Sequence, residues 1–155
     1  MPLRQGASGA SALIAFVKIF LYYIGKPKSR EANALAEEYV GRISHFARCE
    51  MREVDPRRFI PAAKHPNAAR VYLDPAGGRM DSAGFAGWLG KHRDEGRDIV
   101  FAVGGADGLP EEWRDSAGTR MSLSPMTFPH ELARAMLAEQ IYRAFAILQG
   151  HPYPR

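Results

Sequence analysis

The sequence has one cysteine, Cys49, so no disulfide can close within the chain and no set of thiolates can hold a metal. A lone thiol of this kind reads as a small buried hydrophobe in a reducing compartment. A membrane-spanning run is also missing. The apolar stretches "ALIAF" and "IFLYYI" follow Arg4, but Lys18 interrupts them, they are short and aromatic, and no small-residue cleavage site follows. Neither a spanning helix nor a removed leader is expected, and the chain reads as cytoplasmic. The glycines at 104, 105 and 108 lack both the G-x-G-x-x-G spacing of a dinucleotide fold and the G-K-[ST] ending of a phosphate loop. No internal repeat and no second domain are visible. Charge of neither sign dominates: 21 Lys and Arg against 17 Asp and Glu leave +4, which suits a polyanionic partner without requiring one.

With 46% hydrophobic residues in a chain of 155, one globular domain of ordinary core size is expected. Residues 1–15 are rich in Gly, Ser and Ala and are expected to form a flexible extension, with a single domain over 16–155. "FVKIFLYYIG" (16–25) is a nearly continuous β-prone run closed by glycine, as in a strand covered on both faces of a parallel sheet. After Ser29, the residues Ala32, Leu35, Ala36, Tyr39, Val40 and Ile43 recur at three- and four-residue steps and predict an amphipathic helix. "CEMREV" (49–54) is a weaker strand candidate, and the proline-rich "DPRRFIPAAKHPN" should be mostly irregular. "ARVYLD" (69–74) reads as a strand ended by a "PAGG" turn. A helix follows from Asp81 or Ser82, then the buried strand "DIVFAVGG" (98–105) and a short helix opened by Pro110. "TRMSLS" (119–124) supplies a last strand. Ala133, Leu137, Ile141, Ala144, Phe145 and Leu148 line one face of a final helix that stops at Gly150. Strands alternating with helices predict an α/β fold with a mainly parallel sheet flanked by helices.

In such sheets ligands gather where the strands end, so the loops "LDPAGG", "GGADGLP" and "LSPMTFPH" are the candidate sites. In the second, glycine permits positive φ and close backbone approach, although a tight turn without a ligand explains it equally well. In the third, Pro125 and Pro129 restrict φ and leave the other amides free to face a ligand such as an adenine edge. A connector in which Ser124 or Thr127 turns the chain is the competing reading. The tail "HPYPR" clusters His151, Tyr153 and Arg155 beyond Tyr142 and Arg143, the mixture of aromatic and basic groups that stacks bases and holds phosphate. Against that, Arg143 lies four residues after Glu139 in the orientation of a helix-surface ion pair, and a tail is often simply solvated.

Taken together, "VYLD", "DIVFAVGGADGL" and "SLSPMTFPHELARAMLAEQIYRAFAILQGHPY", and more loosely the first strand with its "IGK", resemble the bacterial large-subunit rRNA methyltransferase H family. That family is a small member of the SPOUT class of S-adenosylmethionine-dependent enzymes. The resemblance runs from about residue 16 to the end. It implies a C-terminal trefoil knot, a homodimer and no metal. It also implies an S-adenosylmethionine pocket formed by Leu73, Gly104, Leu123, Ser124, Pro125, Met126, Thr127 and Phe128. The implied reaction is methylation of N3 of a pseudouridine in the helix 69 loop of 23S rRNA, on assembled ribosomes. On that reading His130, Tyr142, His151 and Tyr153 are the candidate base or orienting groups. Arg143 and Arg155 would face phosphate or a developing negative base oxygen, with the tail acting on the partner protomer's site. Two departures stand out: the 55–68 segment is short and rich in proline where relatives usually have a helix, and Pro154 replaces a histidine usual in the tail. They motivate an alternative, a non-catalytic ribosome-binding factor that keeps the fold.

Overall fold

Ile99 to Val103 are buried without exception, and the strand they form is the middle one of five. The computed structural model describes residues 17–116 and 118–153; the N-terminal extension lies outside the described residues. The strands are β1 (Lys18–Tyr23), β2 (Arg48–Glu53), β3 (Ala69–Arg79), β4 (Ile99–Val103) and β5 (Thr119–Ser122). They lie in the order β2-β1-β4-β3-β5, and every neighbouring pair is parallel. The helices are α1 (Arg30–Ile43), α2 (Pro61–Lys64), α3 (Ser82–Asp94), α4 (Glu111–Asp115) and α5 (His130–Leu148). Ser29 and Asp81 cap α1 and α3 by accepting from the amides of Ala32 and Gly84, which fixes where those helices begin.

Both faces of the sheet are covered, which is why its central strands lack polar alternation. On one face Ile19, Leu21, Val71, Ile99 and Phe101 pack with Ile43 of α1, Phe85 and Leu89 of α3, and Leu137, Ile141 and Phe145 of α5. On the other, Tyr22, Tyr72, Val100 and Ala102 pack with Val54, Ala68, Leu109 and Trp113. The 55–68 segment is mostly irregular, as its prolines require, yet it covers this second face with the single turn of α2 and two polar ties. The Trp113 indole donates to the Phe59 carbonyl at 3.0 Å, and the Tyr22 hydroxyl lies 2.6 Å from His65 Nε2.

One expectation is corrected. The "PAGG" residues do not end β3; the strand continues to Arg79, with its pairing to β5 interrupted so that Leu73 and Gly78 both face Met121. The residues between them form a bulge held tightly against β5, since a Cβ on Gly77 would stand 2.6 Å from the Arg120 carbonyl carbon. The final helix is apolar on more than one face, because α5 packs against α1 and α3 as well as the sheet, burying Arg134, Ala135, Tyr142 and Ala146 besides its main stripe.

Arg134 is the charged side chain this arrangement traps, at 1% exposure. Its guanidinium lies 3.8 Å above the Tyr23 ring, and Nη1 donates to Asn33 Oδ1 at 3.1 Å and towards Met51 Sδ at 3.3 Å. Nη2 is buried with no hydrogen-bond partner, and no carboxylate pairs with the group among the described residues. Burial accordingly lowers its pKa. A planar delocalised cation tolerates this stacked site where a compact ammonium would not. Urea unfolding should therefore find Arg134→Lys destabilised by about 2–3 kcal/mol and Arg134→Met within about 1 kcal/mol of wild type. A lysine variant as stable as wild type would contradict this account.

Candidate functional site

Because β3, β4 and β5 run parallel, the loops that leave them meet at one edge of the sheet, where they enclose a cleft of about 510 Å³. That volume suits a small-molecule ligand of cofactor size. The β4 loop folds back on itself. Gly108 has φ +78°, its amide donates to the Gly105 carbonyl at 2.9 Å, and a Cβ on Gly104 would stand 2.4 Å from the Gly108 carbonyl carbon. Glycine is required at 104 by close approach and at 108 by backbone conformation. The β5 loop is stiffened differently. The buried Ser122 hydroxyl donates to the Ser124 carbonyl at 2.9 Å, and the Met126 amide donates to Ser124 Oγ at 3.0 Å. Pro125 and Pro129 restrict the remainder before α5 begins.

Among the described residues the amides of Ala106, Asp107, Thr127 and Phe128 have no hydrogen-bond partner within the chain. Two facing loops thus offer backbone donors that secondary structure does not use. Charge is mixed. Asp74 Oδ1 accepts from the Ala76 amide at 2.9 Å and Oδ2 lies 3.4 Å from Arg120 Nη1, while Asp107, Arg114 and His130 also line the cleft. Such a surface fits a ligand that carries both a cation and a carboxylate beside a flat polar ring, as S-adenosylmethionine does.

Of the residues singled out for the cofactor, Leu73, Gly104, Leu123, Ser124, Met126, Thr127 and Phe128 line the cleft, whereas Pro125 is exposed in the same loop without lining it. Of the candidate catalytic groups among the described residues, only His130, in the first turn of α5, lines it. Tyr142, Arg143 and Tyr153 gather elsewhere. Tyr142 and Tyr153 stack edge to face at 4.7 Å, and Arg143 bonds the Glu139 carboxylate at 2.8 Å while lying 4.6 Å over the Tyr153 ring. The Tyr153 hydroxyl lies 3.3 Å from the Tyr39 hydroxyl and donates to Glu139 at 2.9 Å, and burial together with these two hydrogen bonds raises its pKa. The exposed His151 sits beside Phe46 at 6.5 Å, and Arg155 lies outside the described residues. Sequence reasoning missed Asp74, Asp107 and Arg114. The first two sit in loops already suspected, but only the placement of α4 brings Arg114 to the cleft. A second cavity of about 490 Å³ lies between α1, α3 and α5 and shares Met121, Ser122 and Leu123 with the first.

The fold-back of the β4 loop sets an order of tolerance. A Cβ on Gly105 would stand 3.1 Å from the Ile24 carbonyl oxygen, a contact that a small shift relieves, whereas one on Gly104 meets backbone that cannot give way. Denaturant unfolding should find Gly104→Ala less stable than Gly105→Ala by about 1–3 kcal/mol. Equal stability of the two would contradict the close approach.

Comparison with known proteins places this geometry. The family model for predicted SPOUT methyltransferases matches residues 17–154. Ribosomal RNA large subunit methyltransferase H of Solibacter usitatus is 58% identical over 139 residues, covering 90% of this chain and 100% of that one. The protein of the same name from Gemmatimonas aurantiaca is 38% identical, covering 88% of this chain and 99% of that one. Among solved structures, a probable methylase family protein from Haemophilus influenzae superimposes with a TM-score of 0.58 at 10% identity, over 92% of this chain and 71% of that one. A probable methyltransferase from Bordetella pertussis does so with 0.55 at 11% identity, over 87% of this chain and 99% of that one. At such identities these two structures establish the fold alone. The chain belongs to the SPOUT methyltransferase family and, within it, to the ribosomal RNA large subunit methyltransferase H family.

Proposed function

We propose that the protein transfers a methyl group from S-adenosylmethionine to large-subunit ribosomal RNA. The acceptor we propose is N3 of a pseudouridine in the helix 69 loop of 23S rRNA, reached on the assembled ribosome. The observation that carries this reading is the cleft itself: three loops at the ends of adjacent parallel strands converge with unpaired amides on two of them. S-adenosylmethionine, when bound, supplies an electrophilic methyl group. Leu73, Leu123, Met126 and Phe128 would give its ring an apolar seat. The amides of Ala106, Asp107, Thr127 and Phe128 would meet its hydrogen-bonding edges, and Asp74 or Asp107 its positive charge.

Such a site acts mostly by positioning, which suits two rigid loops. The imide proton of the target base must also leave, and His130 is the candidate proton acceptor that lines the cleft of its own protomer. Tyr142, Arg143, His151, Tyr153 and Arg155 would act only if a second copy brought them over this site. A homodimer is therefore part of the proposal, supported by Leu35, Leu132 and Ile147, which stay 41%, 40% and 47% exposed in the single chain. The trefoil knot belongs to the same proposal, supported by family membership.

Ribosomes from a bacterial strain lacking this modification, incubated with the protein and methyl-labelled S-adenosylmethionine, should gain label in 23S rRNA at a single pseudouridine. Ribosome binding with no incorporated label would instead support a non-catalytic binding factor. Label at another nucleotide would keep the enzyme and overturn the acceptor.

A further inference from the structure

The loop between β1 and α1, Gly25-Lys26-Pro27-Lys28, is not part of the cleft lining, yet its flanks are tied to two of the elements that enclose the cleft. At its start the Ile24 amide donates to the Val103 carbonyl at 3.3 Å, one residue before Gly104. The Ile24 carbonyl oxygen lies where a Cβ on Gly105 would come within 3.1 Å. At its end the amides of Lys28 and Ser29 donate to the Glu131 carboxylate at 2.7 and 3.1 Å. Glu131 follows directly on the cleft residue His130, and the two amides hold its carboxyl below the usual range. The loop thus bridges the β4 loop and the first turn of α5, with both ends tied.

Between those ties Lys26 and Lys28 are exposed, and neither forms an ion pair among the described residues. Arg57 at the same edge of the sheet is committed instead to Asp55 at 3.2 Å. Gly25, at φ +96° with nothing within 4 Å of a Cβ, turns the chain outward, and Pro27 limits the loop's freedom between the two lysines. Because each tie uses a backbone amide or carbonyl, neither lysine head group is needed to hold the loop. Two uncommitted ammonium groups on an anchored, stiffened rim suit the charge of a phosphodiester backbone better than that of a protein surface.

We infer that Lys26 and Lys28 form a phosphate-binding rim that holds the RNA backbone beside the cleft while the acceptor base enters it. The inference deepens the methyltransferase reading by assigning substrate-binding residues to that site. Co-sedimentation with ribosomes lacking the modification, across a salt series, tests it without turnover. For the double variant Lys26→Ala with Lys28→Ala, binding should weaken roughly tenfold at ~0.1 M salt, and the slope of log affinity against log salt should flatten by about 1.5 to 2. Its affinity for S-adenosylmethionine by calorimetry should stay within about twofold of wild type. The control is Lys64→Ala with Lys91→Ala, which removes the same charge from exposed lysines at the opposite end of the strands, and it should keep the wild-type slope.

An unchanged slope in the Lys26 and Lys28 variant, or an equal loss in the control, overturns the inference. So does loss of S-adenosylmethionine binding, which would make the lysines part of the cofactor wall. Wild-type protein that binds ribosomes yet transfers no label defeats the methyltransferase reading and leaves the slope comparison intact.

Discussion

Everything at the candidate site depends on the parallel pairing of β4 with β1 on one side and β3 on the other. Parallel neighbours all end at the same edge, so the loops leaving β3, β4 and β5 have no choice but to meet. Antiparallel pairing of any one of them would send its loop to the far end of the sheet and leave the cleft without a wall. The fully buried β4 makes this order hard to change, because a slip of one residue would turn Ile99, Phe101 and Val103 towards the opposite face.

Given that frame, the loops are held in place by short-range devices of different kinds. The β4 loop uses glycine for steric reasons, the β5 loop uses serine hydroxyls and two prolines, and the β3 loop uses a bulge packed against Arg120. All three loops line the cleft, and those after β4 and β5 keep amides that pair with nothing else among the described residues. Glu131 extends the same order outwards, since its carboxylate couples the start of α5 to the start of α1 across about one hundred residues of sequence. A preorganised site of this type loses little entropy on binding, which is the condition for catalysis by positioning.

Much of this could be read in the chain before any coordinates. The β-prone runs around Leu21 and Phe101 and the three-four spacing from Ala32 to Ile43 were clear, because burial on one or both faces writes itself into hydrophobic periodicity. The continuation of β3 through "PAGG" was not legible, since proline and two glycines signal a turn and only pairing with β5 turns them into a bulge. The cleft loops were legible as loops, and the family pattern named seven residues that line the cleft. Periodicity could not reveal that Arg134 would be trapped between α1, β1 and β2, because a lone charge on an apolar helix looks like a solvated one. Nor could it separate His130 from Tyr142, Arg143 and Tyr153, which share the same helix or its tail but point into different surroundings.

The central claim is that the edge formed by β3, β4 and β5 is an S-adenosylmethionine site. Amide hydrogen exchange, with and without saturating S-adenosylmethionine, tests it most directly. The account predicts slower exchange at Ala106, Asp107, Thr127 and Phe128, whose amides have no partner within the described chain, with little change along α2 or at the far end of the sheet. Exchange that is unaltered by S-adenosylmethionine, or protection confined to the cavity between α1, α3 and α5, would contradict it.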